Sequence, residues 1–184
     1  MATLQTFTGI SAQDISIASS AADFKQLLLK EISQATARIY ISALYIQDDI
    51  AGREILSALY KAKEQKPTLD IRLFVDFHRA QRGLIGDKNG GGNRDLYLAL
   101  EQQHSVSINI YGVPVKRKEL LGVLHLKGIA IDNVMLYTGA SINDVYLQQD
   151  ERYRLDRYYR LPSQGLADNY CDYLHRCFIN TGLA

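Results

Sequence analysis

The sequence is poor in cysteine and has no internal repeat, which excludes several structural classes. Its 184 residues include two cysteines, Cys171 and Cys177, too few for a disulfide framework or a four-ligand zinc site. Six residues apart on one helix, their side chains would not face each other well enough to form a disulfide. No Pro/Ser-rich linker divides the chain, so we expect one compact domain.

Long apolar runs and an excess of one charge are also missing. The apolar runs fall short of the ~20 residues needed to cross a bilayer, and the N-terminus lacks the basic start and apolar stretch of a secretory signal. Lys and Arg number 21 and Asp and Glu 20, which excludes binding of nucleic acid through bulk charge but leaves room for a local basic site. The composition favours a reduced, cytosolic α/β protein.

Alternating strand and helix patterns predict an α/β fold with a partly parallel sheet. Apolar residues recur at helical spacing after Ser20, and Asp23 completes a capping pattern, so a helix begins just after that serine. A strand at 38–45, a helix at 50–63 and a strand at 70–76 predict a parallel βαβ unit. The other predicted elements are strands at 15–18, 107–111, 124–131, 134–138 and 153–161, and helices at 94–103 and 165–178.

Five residues in and after a predicted hairpin are suited to phosphoryl chemistry. His125 and Lys127 lie two apart on one predicted strand, so strand alternation places both side chains on one face. An imidazole can attack phosphorus, and an ammonium can hold the charged oxygens that develop around it. Asp132 lies at the hairpin turn, and Ser141 and Asn143 follow the second strand as neutral donors to a phosphate.

Each of these residues also has an ordinary structural explanation. A lone histidine on a strand is more often a partly buried structural residue, Asp132-Asn133 alone is a turn signal, and Ser141 with Asn143 is common in loops. The joint pattern is more specific, and it resembles the signature of the phospholipase D superfamily, His-x-Lys-(x)4-Asp followed by Gly-Ser-x-Asn. In this chain one residue separates Gly139 from the Ser-x-Asn pair.

A closer resemblance covers nearly the whole chain. Five blocks are similar to the Gram-negative phosphatidylserine synthase family, which are CDP-diacylglycerol–serine O-phosphatidyltransferases of the phospholipase D type: VDFHRAQRG (75–83), YGVP (111–114), LGVLHLKG (121–128), LYTGASINDVYL (136–147) and YRLDRYYR (153–160). The resemblance implies a phospholipase D-like mixed sheet flanked by helices over residues 15–184, after a loosely ordered start at residues 1–14. The chain carries one His-x-Lys motif where that family has two, so it corresponds to the N-terminal repeat of a two-repeat architecture.

The resemblance also implies a reaction and its partners. A histidine attacks the phosphorus of CDP-diacylglycerol, CMP leaves, and the hydroxyl of L-serine takes the phosphatidyl group from a phosphatidyl-histidine. Two histidines share the roles of nucleophile and proton carrier, and Lys127 with its counterpart neutralises the phosphate, so no metal or other cofactor is expected. The second His-Lys-Asp half would come from a C-terminal region beyond this chain or from a homodimer partner.

A carboxylate is expected to hold the histidine in one tautomer. In superfamily members an acidic residue about one strand downstream does this, and the resemblance makes Asp156 the candidate. The alternative for Asp156 is a surface ion pair with Arg154 or Arg157. Asp132, as an alternative to a role in catalysis, would brace the hairpin.

Basic and amide side chains are expected to bind substrate and membrane. Arg79, Gln81 and Arg82 follow the predicted strand 70–76, where an open parallel sheet collects ligands, and an arginine there can grip the cytidine diphosphate or the serine carboxylate. The alternative is a solvated basic turn. The basic stretch 116–118 precedes two leucines, and either contacts an anionic lipid surface or is an ordinary charged loop. We expect a cytoplasmic protein peripherally associated with the inner membrane.

Two other functions fit parts of the pattern. A single-motif phospholipase D-like nuclease or phosphodiesterase, built as a dimer, fits the length of the chain, although its near-zero net charge suits a nucleic-acid substrate less well. A lipid- or partner-binding module would keep the fold without turnover. An L-serine-dependent CMP-release assay separates the first interpretation from both.

Overall fold

The computed structural model describes residues 9–81, 92–114 and 123–182, which form a seven-stranded mixed sheet flanked by helices. The strands are β1 (Ser16–Ala18), β2 (Arg38–Ala43), β3 (Asp70–Asp76), β4 (Asn109–Val113), β5 (Gly128–Ile131), β6 (Val134–Tyr137) and β7 (Tyr158–Pro162). The helices are α1 (Ala21–Gln34), α2 (Ile50–Gln65), α3 (Phe77–Ala80), α4 (Asn93–Gln103) and α5 (Gln164–Leu174), with a 3₁₀ turn at Ala12–Asp14 and a π-helical turn at His175–Ile179. Across these described ranges, no helix is long and apolar enough to cross a bilayer.

The sheet runs in the order β1-β7-β6-β5-β2-β3-β4, with β2, β3 and β4 parallel and the other pairings antiparallel. The predicted βαβ unit is confirmed, because β2 and β3 pair in parallel across the connecting helix α2. The predicted hairpin is also confirmed: Ile131 pairs with Val134, and Asp132 and Asn133 form the turn between them. The α/β fold class with a mixed sheet flanked by helices is therefore as predicted.

Each face of the sheet carries its own apolar core. Ile39 and Ile41 of β2 pack with the buried sides of α1, α2 and α4, whereas Tyr40 between them packs with α5. The same alternation continues in the neighbouring strands, so one layer of helices covers each face. In the first core the ring of Phe24 on α1 stacks on Tyr158 of β7, with 4.7 Å between centroids.

Helix starts are fixed by side-chain caps. The predicted cap is confirmed, since Ser20 Oγ accepts the backbone N–H of Asp23 at 3.0 Å. At the start of α2, the Asp49 carboxylate accepts the N–H groups of Gly52 at 2.8 Å and of Asp144 at 2.9 Å. Burial raises the pKa of this carboxyl. Any Cβ on Gly52 would lie 1.9 Å from the Gln47 carbonyl oxygen, so this position requires glycine, and the cap ties the loop after β6 to α2.

Two strands begin later than predicted because their partner strands end. The strand predicted over 124–131 begins at Gly128, which pairs with Ser42 one residue before the end of β2. The strand predicted over 153–161 begins at Tyr158, because β6 ends at Tyr137. The strand predicted over 107–111 is shifted by two residues to pair with the end of β3. The closing helix predicted over 165–178 is divided into two parts. The α-helix α5 ends at Leu174, and His175–Ile179 form the π-helical turn.

Candidate active site

Four chain segments meet at the edge of the sheet where the parallel strands β2 and β3 end. The segment 77–81 follows β3 directly. Because β5 runs antiparallel to β2, and β6 and β7 alternate in direction beyond it, the same edge receives the residues before β5, after β6 and before β7. These are the segments 123–127, 138–147 and 150–157. The topology therefore places His125 at the edge of an α/β sheet where ligands usually bind.

His125 and Lys127 lie on one side of their segment. Leu124 is buried and Leu126 is half-buried, and both pack in the core under α5. His125 between them is exposed, and Lys127 is half-buried. The side-chain alternation predicted for a strand therefore holds through residues that are not themselves paired in the sheet. Within the described ranges His125 makes no hydrogen bond, so its ring is open to a ligand.

Lys127 is held over the loop that follows β6. Its ammonium donates a hydrogen bond to the carbonyl of Gly139. It also lies 5.8 Å from the ring centroid of Tyr146, within cation–π range. Neutral acceptors thus fix the position of the ammonium while leaving its charge uncompensated, which suits a group that binds phosphate oxygens.

Asp156 is connected to Lys127 through the same glycine. Its Oδ1 accepts the N–H of Gly139 at 3.1 Å and the backbone N–H of Arg157 at 2.6 Å. A Cβ on Gly139 would lie 2.9 Å from Asp156 Oδ2, so a larger residue would push this carboxylate away. Lys127, Gly139 and Asp156 thus form one connected unit at the sheet edge that carries His125, and the Asp156 carboxylate keeps capacity for a further donor.

The alternative of an ion pair for Asp156 is not what the described residues show. The guanidinium of Arg154 donates to the hydroxyl of Tyr146 at 3.3 Å, and that of Arg157 donates to the hydroxyl of Tyr159 at 3.4 Å. Neither arginine side chain forms a salt bridge in the part of the chain that the structure describes. A surface salt bridge therefore does not explain the carboxylate.

Ser141 and Asn143 lie in the loop after β6, at the same edge. Ser141 is buried. Asn143 is half-buried, and its side-chain oxygen accepts the backbone N–H of Tyr146 at 3.0 Å. Ile142 between them bridges to Ile46 after β2. The amide oxygen of Asn143 thus shapes a turn, and the residue sets the position of the aromatic ring beside Lys127.

Asp132 lies at the other end of β5 from Lys127. Five residues at about 3.4 Å each put the two Cα atoms roughly 17 Å apart. The Asp132 carboxylate accepts the backbone N–H groups of Thr36 and Ala37 at 2.8 Å and of Arg38 at 3.0 Å, and the Thr36 hydroxyl at 2.8 Å. Burial acts to raise the pKa of Asp132, but these hydrogen bonds outweigh it and hold the pKa below its usual value. The contacts brace the hairpin against the start of β2.

The substrate-binding candidates lie on and just beyond α3. Arg79 is half-buried, and the Gln81 amide donates back to the carbonyl of Phe77 at 2.9 Å, which closes the short helix. Arg82 lies outside the described residues. The short helix follows β3 directly, so Arg79 and Gln81 are at the same sheet edge as Lys127.

The predicted site residues do not include Asp76, which is central to the geometry of the site. This buried carboxylate caps α3 by accepting the N–H groups of His78 at 3.0 Å and Arg79 at 2.8 Å. Its other oxygen accepts the N–H of Leu124, next to His125, at 2.8 Å. An aspartate at the end of a strand and the start of a helix is a detectable capping signal, but the contact with a residue 48 positions away is not.

Asp76→Asn is expected to loosen the segment that carries His125. The amide has one acceptor oxygen where the carboxylate uses two, so either the α3 cap or the bond to Leu124 is lost, at a cost of about 1–2 kcal/mol in unfolding free energy. We expect faster amide hydrogen exchange at Leu124 and His125, with Asp95→Asn, an exposed first-turn aspartate of α4, as control. Unchanged exchange at both amides contradicts this role.

The sequence of the chain is similar to those of known proteins. The family model described as cardiolipin synthase, PLD-like domain, matches residues 28–144. The CDP-diacylglycerol–serine O-phosphatidyltransferase of Escherichia coli K12 is 47% identical over 159 residues, which are 86% of this chain and 35% of that protein. The CDP-diacylglycerol–glycerol-3-phosphate 3-phosphatidyltransferase of Gallus gallus is 28% identical over 180 residues, covering 87% of this chain and 30% of that protein.

The crystal structure of the Haemophilus influenzae phosphatidylserine synthase superimposes with a TM-score of 0.86 and 41% identity, over 92% of this chain and 38% of that one. Such agreement extends the similarity from the sequence to the whole fold. The chain spans little more than a third of the length of the two serine phosphatidyltransferases it matches.

Proposed function

Because the chain belongs to the family of phospholipase D-like domains named for cardiolipin synthase, we propose that it supplies one half of a phosphatidyltransferase active site. The complete enzyme would transfer the phosphatidyl group of CDP-diacylglycerol to L-serine and release phosphatidylserine and CMP. The supporting relatives are serine phosphatidyltransferases 47% and 41% identical to this chain. One observation of the structure carries the proposal: an exposed imidazole and a fixed ammonium lie two residues apart on one side of the segment at the carboxyl edge of the sheet.

The proposed reaction is a double displacement. One histidine attacks the phosphorus that carries diacylglycerol, the bond between the two phosphates breaks, and its electron pair leaves on CMP, which a second histidine protonates. The L-serine hydroxyl then attacks the phosphorus of the phosphatidyl-histidine while the second histidine takes its proton. The P–N bond breaks, its electron pair returns to the first imidazole, and phosphatidylserine is released. His125 fills one of these two roles, and Lys127 stabilises the charge on the phosphoryl oxygens in both steps.

The other candidate residues act around this pair. In the complete active site Asp156 would accept the N–H of the His125 ring, a hydrogen bond that the described residues do not form in this structure, and would so select the tautomer whose lone pair faces phosphorus. Ser141 donates to the phosphate, and Asn143 does so through its NH₂ while its oxygen holds the turn at Tyr146. Asp132 takes part through the hairpin, as a bracing residue rather than one that touches substrate.

Substrate contacts from α3 complete the proposed half-site. Arg79 follows β3 at the ligand-binding edge, where its guanidinium would bind the cytidine diphosphate or the serine carboxylate in a bidentate way. Gln81 and Arg82 would extend this contact.

A second His-Lys-Asp half is required, because this chain carries one His-x-Lys motif and the mechanism uses two histidines. It would come either from further polypeptide or from a second copy of the chain. CDP-diacylglycerol is anchored in a bilayer by two acyl chains, so we also propose peripheral association with an anionic cytoplasmic membrane surface. The basic stretch 116–118, a candidate for that contact, lies outside the described residues.

The test of the proposed function is CMP release from CDP-diacylglycerol in detergent micelles. It uses the two-motif protein, meaning this chain joined to a second His-x-Lys half in one polypeptide. We expect CMP release that requires L-serine, with one phosphatidylserine formed per CMP, and no stimulation by glycerol 3-phosphate. CMP release that does not depend on L-serine, or the absence of CMP release, contradicts the proposal.

A further inference from the structure

Two cations lie against the ring of Tyr146. The ammonium of Lys127 is 5.8 Å and the guanidinium carbon of Arg154 is 5.5 Å from its centroid. Arg154 also donates to the Tyr146 hydroxyl at 3.3 Å, and its backbone N–H donates to the Val145 carbonyl at 3.0 Å. Three separate segments thus place two positive groups beside one aromatic side chain, at the edge that carries His125.

The charges of these two cations are not compensated nearby. In the described ranges neither one forms a salt bridge, whereas six other basic side chains do: Lys25, Arg38, Arg53, Arg72, His104 and Arg160. Their partners are a carbonyl, a hydroxyl and the aromatic ring. Asp156 lies two residues from Arg154, yet its Oδ1 serves backbone N–H groups. Two cations that share one aromatic ring and form no salt bridge among the described residues favour a ligand with two negative groups.

We propose that Arg154 is a second phosphate-binding residue, and that Arg154 and Lys127 together give the site a preference for a diphosphate over a monophosphate. This inference rests on the proposed function, in which Lys127 binds the phosphate that is attacked. Arg154 would then bind the phosphate that leaves with cytidine. As the bond between the phosphates breaks, negative charge develops on the departing CMP oxygen, and a guanidinium there stabilises it.

Tyr146 is the positioning residue of this pair. Its ring contacts both cations, its hydroxyl accepts from Arg154, and Asn143 fixes its backbone. The spacing of the two charges therefore depends on the ring more than on its hydroxyl. Tyr146→Phe should keep most of the diphosphate preference, and Tyr146→Leu should remove it.

The experiment is calorimetric titration of the 184-residue chain with CDP and, separately, with CMP. We expect the wild type to bind CDP more tightly than CMP. Arg154→Ala should weaken the binding of CDP and of CMP about tenfold each, the effect of one charge-assisted contact, because both ligands carry the phosphate attached to cytidine. Lys127→Ala should weaken CDP binding but change CMP binding less than about threefold, because CMP lacks the phosphate that is attacked. Arg157→Ala is the matched control, because Arg157 lies on the same segment and also donates to a tyrosine hydroxyl, yet both affinities should stay unchanged.

The outcomes separate this inference from the proposed function. CDP or CMP binding that Arg154→Ala leaves unchanged overturns the inference, and so does an equal effect of Arg157→Ala. CDP binding that survives Lys127→Ala contradicts the proposed function instead. A wild-type chain that binds neither nucleotide contradicts both. Thermal unfolding of each variant, expected to match the wild type, verifies that the losses are not caused by misfolding.

Discussion

Replacing His125 with asparagine is expected to lower L-serine-dependent CMP release by the two-motif protein on the order of 10³-fold or more. Asparagine has a similar volume and a polar amide, but it neither attacks phosphorus nor carries a proton to and from oxygen. The loss follows from either of the two roles that a histidine takes in the proposed reaction. The measurement is the initial rate of CMP release at saturating concentrations of both substrates.

The fold is expected to survive this change. His125 is exposed and, within the described ranges, makes no hydrogen bond, so the free energy of unfolding should change by less than about 0.5 kcal/mol. His104 is the matched control, because its Nδ1 lies 2.8 Å from Glu64 and its ring stacks on Tyr60 with 4.4 Å between centroids. His104→Asn should lower stability and leave the rate per folded molecule unchanged. A His125→Asn protein within tenfold of the wild-type rate contradicts the role of this residue.

The parts of the fold that depend on local sequence were predictable. The cap at Ser20 and the two-residue turn at Asp132-Asn133 are set by residues within a few positions of each other. The parallel pairing of β2 and β3 follows from a strand–helix–strand order, which leaves few topologies open. Periodicity therefore identified most elements, with errors mainly at their ends.

The errors at the strand ends have a non-local cause. Residues 124–127 alternate as a strand does, but β2 ends at Ala43, one residue beyond the partner of Gly128. Side-chain alternation records which face is buried and does not show where the neighbouring strand stops. The segment 153–157 is unpaired for the same reason, since β6 ends at Tyr137.

The candidate site was predictable as a set of residue types and only partly as a geometry. The two-residue spacing of His125 and Lys127 fixes their shared side. The contact of Asp76 with Leu124 and the two cations on Tyr146 join segments that the sheet brings together. Such contacts have no signature within any short window of the sequence, so the structure was needed to reveal them.

Replacing Asp132 with alanine is expected to lower the free energy of unfolding by about 3 kcal/mol, discounted for partial exposure of the carboxylate. Four donors, the backbone N–H groups of Thr36, Ala37 and Arg38 and the Thr36 hydroxyl, lose their acceptor. Alanine must also adopt the positive φ of 49° found here, which asparagine tolerates better. Thermal unfolding at pH 7 should show a midpoint lowered by about 6–12 °C, with a smaller decrease for Asp132→Asn.

The pH dependence separates a bracing carboxylate from a catalytic one. Because the pKa of Asp132 is lowered in the folded chain, its contribution to stability is complete above about pH 5 and is lost as the pH falls below the unfolded value near 3.8 toward the folded one. The difference in midpoint between wild type and Asp132→Ala should therefore shrink on acidification through that window. Effects of other acidic groups, such as the raised pKa of Asp49, are common to both proteins and cancel in the difference.

If Asp132 instead touched substrate, the variant would lose CDP affinity per folded molecule while the midpoint difference stayed small at every pH. The distance of roughly 17 Å along β5 favours the first outcome, because Lys127 lies at the end of the strand next to His125 and Asp132 lies at the opposite end.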